Sequence, residues 1–85
     1  MIWVVKADKA AGKYCIRIEF SDGTVGIVDF EKILKKDHRE IIRELLNTDL
    51  FNRFFIDNDT INWKNGADFA PEFLYEIMSK VQQAA

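Results

Sequence analysis

The sequence predicts an α+β fold. It reads as a small single domain over residues 1–85, with an antiparallel sheet of about five short strands in β-β-β-α-β-β-α order, packed with two to three helices. Three observations predict this. Tyr14, Ile16, Ile18 and Phe20 alternate strictly with Cys15, Arg17 and Glu19, the period of a strand with one buried and one wet face. Asp22-Gly23 follows at once, and an Asp-Gly pair supplies the positive φ angles of a tight hairpin turn. Beyond Val28 the apolar spacing becomes helical, and it does so again after Pro71.

The elements follow in order. Ile2 to Ala7, rich in Trp and Val, reads as a first strand beside the hairpin, with Asp8 and Gly12 turning the chain after it. Thr24 to Val28 is the returning hairpin strand. Asp29 is placed to cap a short helix through "FEKILKK". Asp37 and Glu40 have capping-box spacing before "HREIIRELL", where Ile41, Ile42, Leu45 and Leu46 share a helical face. "NTDLFNRF" reads as an irregular connection. "FFID" and "TINWK", joined by "DNDT", read as a second hairpin. Pro71 sits in the first turn of a final helix, where its missing N–H costs nothing; the stripe is Leu74, Ile77, Met78 and Val81, and "QQAA" frays.

The composition narrows the function classes. A chain of 85 residues buries a thin core, and seven Phe, two Tyr and two Trp are one means of gathering enough buried area without staples. A net charge of −2 argues against a nucleic-acid binder, so no nucleic-acid partner is expected. The single cysteine, Cys15, forbids an intramolecular disulfide, and the apolar run after Met1 is too short for a signal peptide or a span. The expectation is a cytoplasmic protein with no membrane partner.

No catalytic set is visible, so an enzyme is not expected. His38 is the one histidine and reads as a solvated helix-start residue. Cys15 has no adjacent base and reads as a half-buried or surface thiol. Asp57 and Asp59 resemble half of a calcium loop, but the glycine and glutamate such a loop needs are missing, so no metal is expected. The four glycines are scattered and form no phosphate loop, and no cofactor is expected. The basic residues Lys32, Lys35, Lys36, Arg39 and Arg43 are interleaved with acids, which describes a salt-bridged wet face.

"WKNGADFAP" (63–71) is the densest stretch. Each residue has a mechanical role: Trp63 buries beside Ile61, Asn65-Gly66 turns the chain, Asp68 accepts loop N–H bonds and Pro71 starts the helix. Against this stands a candidate binding loop of Trp63, Asn65, Gly66 and Asp68, with Trp63 as a stacking platform and Asp68 as a polar anchor. Asp22, Gly23, Asp29 and Pro71 are assigned to turns and caps.

Three stretches, "FSDGTVGIVDF" (20–30), "DLFNRFFID" (49–57) and "INWKNGADFAPEFLYE" (61–76), resemble an uncharacterised prokaryotic family, domain of unknown function 2442. Lys64 stands where that family usually has proline, and Phe30 and Phe69 stand where it usually has leucine. The resemblance implies a small α+β domain with an antiparallel sheet and no assigned active residue. Some relatives carry an added helix-turn-helix domain, which is not expected here. Many are encoded beside another small protein, in arrangements like toxin–antitoxin pairs. The resulting expectation is a non-catalytic protein-interaction module, the antitoxin-like or regulatory partner of another small protein, or a homodimer. It would use an unpaired strand edge and the Asn65–Asp68 loop. The alternative is a small-ligand-binding domain or minor enzyme built on the Trp63–Asp68 loop.

Overall fold

The computed structural model describes residues 1–81. The strands are β1 (Val4–Lys9), β2 (Cys15–Phe20), β3 (Val25–Asp29), β4 (Phe55–Asp57), β5 (Thr60–Asn62) and β6 (Ser79–Lys80). The helices are α1 (Glu31–Lys36), α2 (Glu40–Arg43), α3 (Thr48–Phe51) and α4 (Pro71–Ile77), with a 3₁₀ turn over Glu44–Leu46 closing α2. The strands form two antiparallel sheets rather than one, a four-stranded sheet in the order β1-β2-β3-β6 and the hairpin β4-β5. The fold is α+β. Among the described residues no helix is long and apolar enough to cross a membrane.

The alternation in β2 sorts its side chains. Ile16, Ile18 and Phe20 are buried and Arg17 is exposed. Opposite charges sit across the wet face, Lys6 beside Glu19 and Asp8 beside Arg17. The buried face of this sheet packs against Leu34, Ile42, Leu45, Phe51 and Leu74 from the helices and against Ile61, Trp63 and Phe69. Trp63 stands among three rings, with centroids 6.1 Å from Phe30, 5.7 Å from Phe51 and 5.9 Å from Phe69. Tyr14 meets Phe51 edge-on at 5.3 Å and donates its hydroxyl to the Leu46 carbonyl at 2.6 Å.

The structure corrects three local expectations. The final helix stops at Ile77, and Ser79–Lys80 turns extended to pair with Gly26 and Ile27 of β3. Satisfying the main-chain groups of the β3 edge outweighs continuation of a helical stripe. Gly26 makes the approach possible, since a Cβ there would lie 2.9 Å from the Met78 Cβ. Secondly, Asp37 forms no capping box with Glu40. Its carboxylate accepts the Arg39 N–H at 2.8 Å, a local turn, and Arg39 holds the N-cap position of α2. Thirdly, "NTDLFNRF" contains the helix α3, capped by the Asn47 side chain, which accepts from the Asp49 and Leu50 N–H groups. The fraying expected at residues 82–85 lies outside the described residues.

"DNDT" turns β4 into β5 with both central residues left-handed, Asn58 at φ 49° and Asp59 at φ 66°. Asn and Asp tolerate that region better than other side chains do, which accounts for these two residue types at the centre of the turn.

Candidate functional site

The stretch 63–71 is held from several sides. Trp63 is 1 % exposed and its Nε1–H donates to the Phe51 carbonyl at 2.8 Å. Neither face of the ring is free, so the stacking platform suggested by the sequence does not exist. The Trp63 N–H donates to the Ala67 carbonyl and the Gly66 N–H to the Trp63 carbonyl, both at 2.9 Å, with Gly66 at φ +93°. Asn65 locks the turn: its Oδ1 accepts the Ala67 N–H at 3.0 Å, and its Nδ2 donates to the Ile41 carbonyl at 3.0 Å and to Glu44 Oε1 at 2.8 Å. Asp68 is the one exposed side chain among the four candidate residues with a functional group to offer.

Asp68 borders a cleft of about 300 Å³ lined by Ile33, Asp37, Arg39, Asp68, Phe69, Ala70 and Phe73. Phe69 and Phe73 stack at 6.0 Å along one side, and Phe73 is 39 % exposed. The Arg39 guanidinium grips Asp37 in a fork, Nη2 to Oδ2 at 2.8 Å and Nε to Oδ1 at 3.0 Å. That side-chain contact, helped by the Arg39 N–H, holds the Asp37 carboxyl down to about 2. Asp37 in turn raises the Arg39 value, and Asp68 adds to the effect from across the cleft. A lowered carboxylate stabilises the fold above its ordinary titration range, and that contribution fades as pH falls toward about 2. In an NMR titration the Asp37 carboxyl is expected near 2, and Arg39→Ala should move it upward, part of the way to the ordinary range. The return is partial because the residue 39 N–H still donates to Oδ1.

The turn and cap residues Asp22, Gly23 and Asp29 lie elsewhere, and Pro71 ends the stretch. Asp22 accepts the Thr24 N–H at 2.9 Å and the Tyr75 hydroxyl at 2.8 Å, which together hold its carboxyl below the ordinary range. Gly23 has φ +86°. Asp29 accepts the Glu31 N–H at 3.0 Å, one residue before the N-cap position of α1, which Phe30 occupies. Pro71 is the first residue of α4. Cys15 is half-buried, and burial first, then Asp29, pushes its thiol upward, away from a reactive thiolate. His38 is exposed.

Further exposed apolar side chains, which the residue pattern did not single out, lie away from this loop. Trp3 is 42 % exposed, Val5 46 %, Phe55 45 % and Ile56 41 %. The β4-β5 hairpin packs beside β1, and the Val4 N–H donates to the Asp59 carbonyl at 2.8 Å. Large apolar side chains that stay wet on adjacent elements mark interaction sites more often than isolated exposed residues do.

No curated protein and no solved structure matches the chain. The model of one family, described as Protein of unknown function (DUF2442), matches residues 5–78, and the chain belongs to that family.

Proposed function

We propose that the chain is a non-catalytic protein-interaction module, a regulatory or antitoxin-like partner of another small protein in the prokaryotic cytoplasm. The observation that supports this reading is the exposure of four large apolar side chains, Trp3 just before β1, Val5 within it, and Phe55 and Ile56 on alternate faces of the adjoining β4. An apolar surface on a small domain is covered most economically by a partner whose rings and aliphatic chains fill the same area. The Asn65–Asp68 loop contributes Asp68 alone at the rim of the neighbouring cleft.

A tagged pull-down from the source cell, with mass spectrometry and light scattering of the eluate, tests the reading. One small protein in equal amount is expected. Ile56→Asp combined with Val5→Asp should weaken its capture by roughly tenfold or more, because a carboxylate would be desolvated on each apolar patch. An eluate without a stoichiometric partner counts against the module.

The cleft beside Asp68 favours a second reading, a small-ligand site. Its stacked Phe69 and Phe73 and its Asp37–Arg39 fork offer an apolar wall and fixed charge. A metabolite screen by thermal shift tests it. A melting shift that Asp68→Ala abolishes would move the function to this cleft.

A further inference from the structure

We infer that the open edge of β1 binds a second copy of this chain, antiparallel, in a register centred on Ala7. The inference concerns the main chain and the charged face of the β1 edge, which share only Val5 with the apolar set assigned above. Ala10 donates its N–H to the Cys15 carbonyl at 3.0 Å. Main-chain direction alternates along a strand, so residues 6, 8 and 10 turn toward β2 while Ala7 and Lys9 turn outward. The bulge between Val4 and Lys6 resets this alternation, which lets the Val4 N–H face outward and meet Asp59. The hairpin therefore blocks the edge at Val4, and β1 ends at Lys9. The segment left open runs from residue 5 to residue 9, and Ala7 is its midpoint.

That segment is complementary to itself. With Ala7 opposite Ala7 of the second copy, each Ala7 N–H donates to the other Ala7 carbonyl. Lys6 then faces Asp8 of the second copy, and Asp8 faces its Lys6, in the closely spaced pairs where side chains approach best. Within one chain Lys6 already sits beside Glu19 and Asp8 beside Arg17. Pairing across the edge continues the same checkerboard, giving each charge an opposite neighbour on both sides. The Lys6–Asp8 contact inside the chain is only 4.0 Å, with both side chains more than half exposed, so both remain available. Ala7 is small and half-buried and allows the two backbones to close. A two-fold axis through Ala7 joins the two four-stranded sheets into one of eight strands.

The test is light scattering on the purified full chain at roughly 100 µM, where mass action favours any modest dimer. A mass of twice the chain is expected. Lys6→Glu sets like charges against Asp8 of the second copy, and Asp8→Lys sets them against its Lys6. Each should raise the dimer dissociation constant by about tenfold or more, with circular dichroism unchanged. Mixing the two variants should restore a dimer, seen by native mass spectrometry as one chain of each kind, because only this register makes the two substitutions complementary. A wild-type chain that stays monomeric overturns the inference, as does a dimer that neither substitution weakens or a mixture that fails to recombine. In each of these cases the pull-down still decides the interaction module independently.

Discussion

Trp63→Ala is expected to remove about 3–5 kcal/mol of stability, the usual range for deleting a fully buried large ring. A domain of this length has a total of roughly 4–13 kcal/mol. The substitution should therefore leave a substantial unfolded fraction at room temperature if the starting value lies low in that range. Trp63 is central to this risk because it joins elements that are far apart in the chain. Phe30 comes from the start of α1, Phe51 from the end of α3 and Phe69 from the approach to α4. Its indole N–H also satisfies the Phe51 carbonyl. Trp63→Phe separates the two contributions. It retains a ring and loses the donor, and should cost about 1–3 kcal/mol, chiefly from stranding a buried carbonyl. Urea unfolding followed by circular dichroism reads both changes. A Trp63→Ala chain with unaltered midpoint and slope would show that the ring lies outside the core and would return it to the candidate binding surface.

The parts of this fold legible from sequence are those that local chemistry decides. The β2 alternation and the Asp22-Gly23 turn depend on neighbours within a few residues, and the β2-β3 hairpin forms where they put it. The Ile42 and Leu45 face of α2 and its 3₁₀ turn is of the same kind. What escaped depends on distant partners. The residues after Ile77 carry a helical stripe, and only the presence of a bare β3 edge turns them extended. The α3 helix spans four residues, too few for a periodic signal, and its evidence is the Asn47 cap. The same division holds at the site. The Asn65-Gly66 turn was visible as a turn, whereas its anchorage on Ile41 and Glu44 was not. Asp68 was visible as a polar residue, but the Asp37–Arg39 fork it faces comes from another part of the chain. The apolar surface at Phe55 and Ile56 was hidden because a three-residue strand gives no period by which to assign its faces.

Asn65→Ala is expected to cost about 2–3 kcal/mol, the largest effect of any substitution in the 65–68 turn, while Asp68→Ala should stay within about 0.5 kcal/mol of the parent. The contrast follows from what each side chain holds. Asn65 uses both ends of its amide, accepting from the Ala67 N–H and donating to the Ile41 carbonyl and to Glu44. Alanine would leave the Ala67 N–H and the Ile41 carbonyl without those partners in a partly buried setting, and would detach the turn from α2. Asn65→Asp should not rescue the fold. It keeps the acceptor for Ala67 but places a carboxylate against the Ile41 carbonyl and the Glu44 carboxylate. Gly66→Ala adds a separate strain of about 1 kcal/mol or more, since φ is +93° and the new Cβ would touch Ile41 Cδ1 at 3.4 Å. Asp68 is exposed and restrains none of this. Chemical denaturation of these four single variants therefore divides the stretch by role. If Asn65→Ala proves neutral, the turn is not held by α2 and its residues become free to serve a ligand. If it destabilises as expected while Asp68→Ala does not, Asp68 becomes the one position in the turn where a binding defect can be read without a folding defect beneath it.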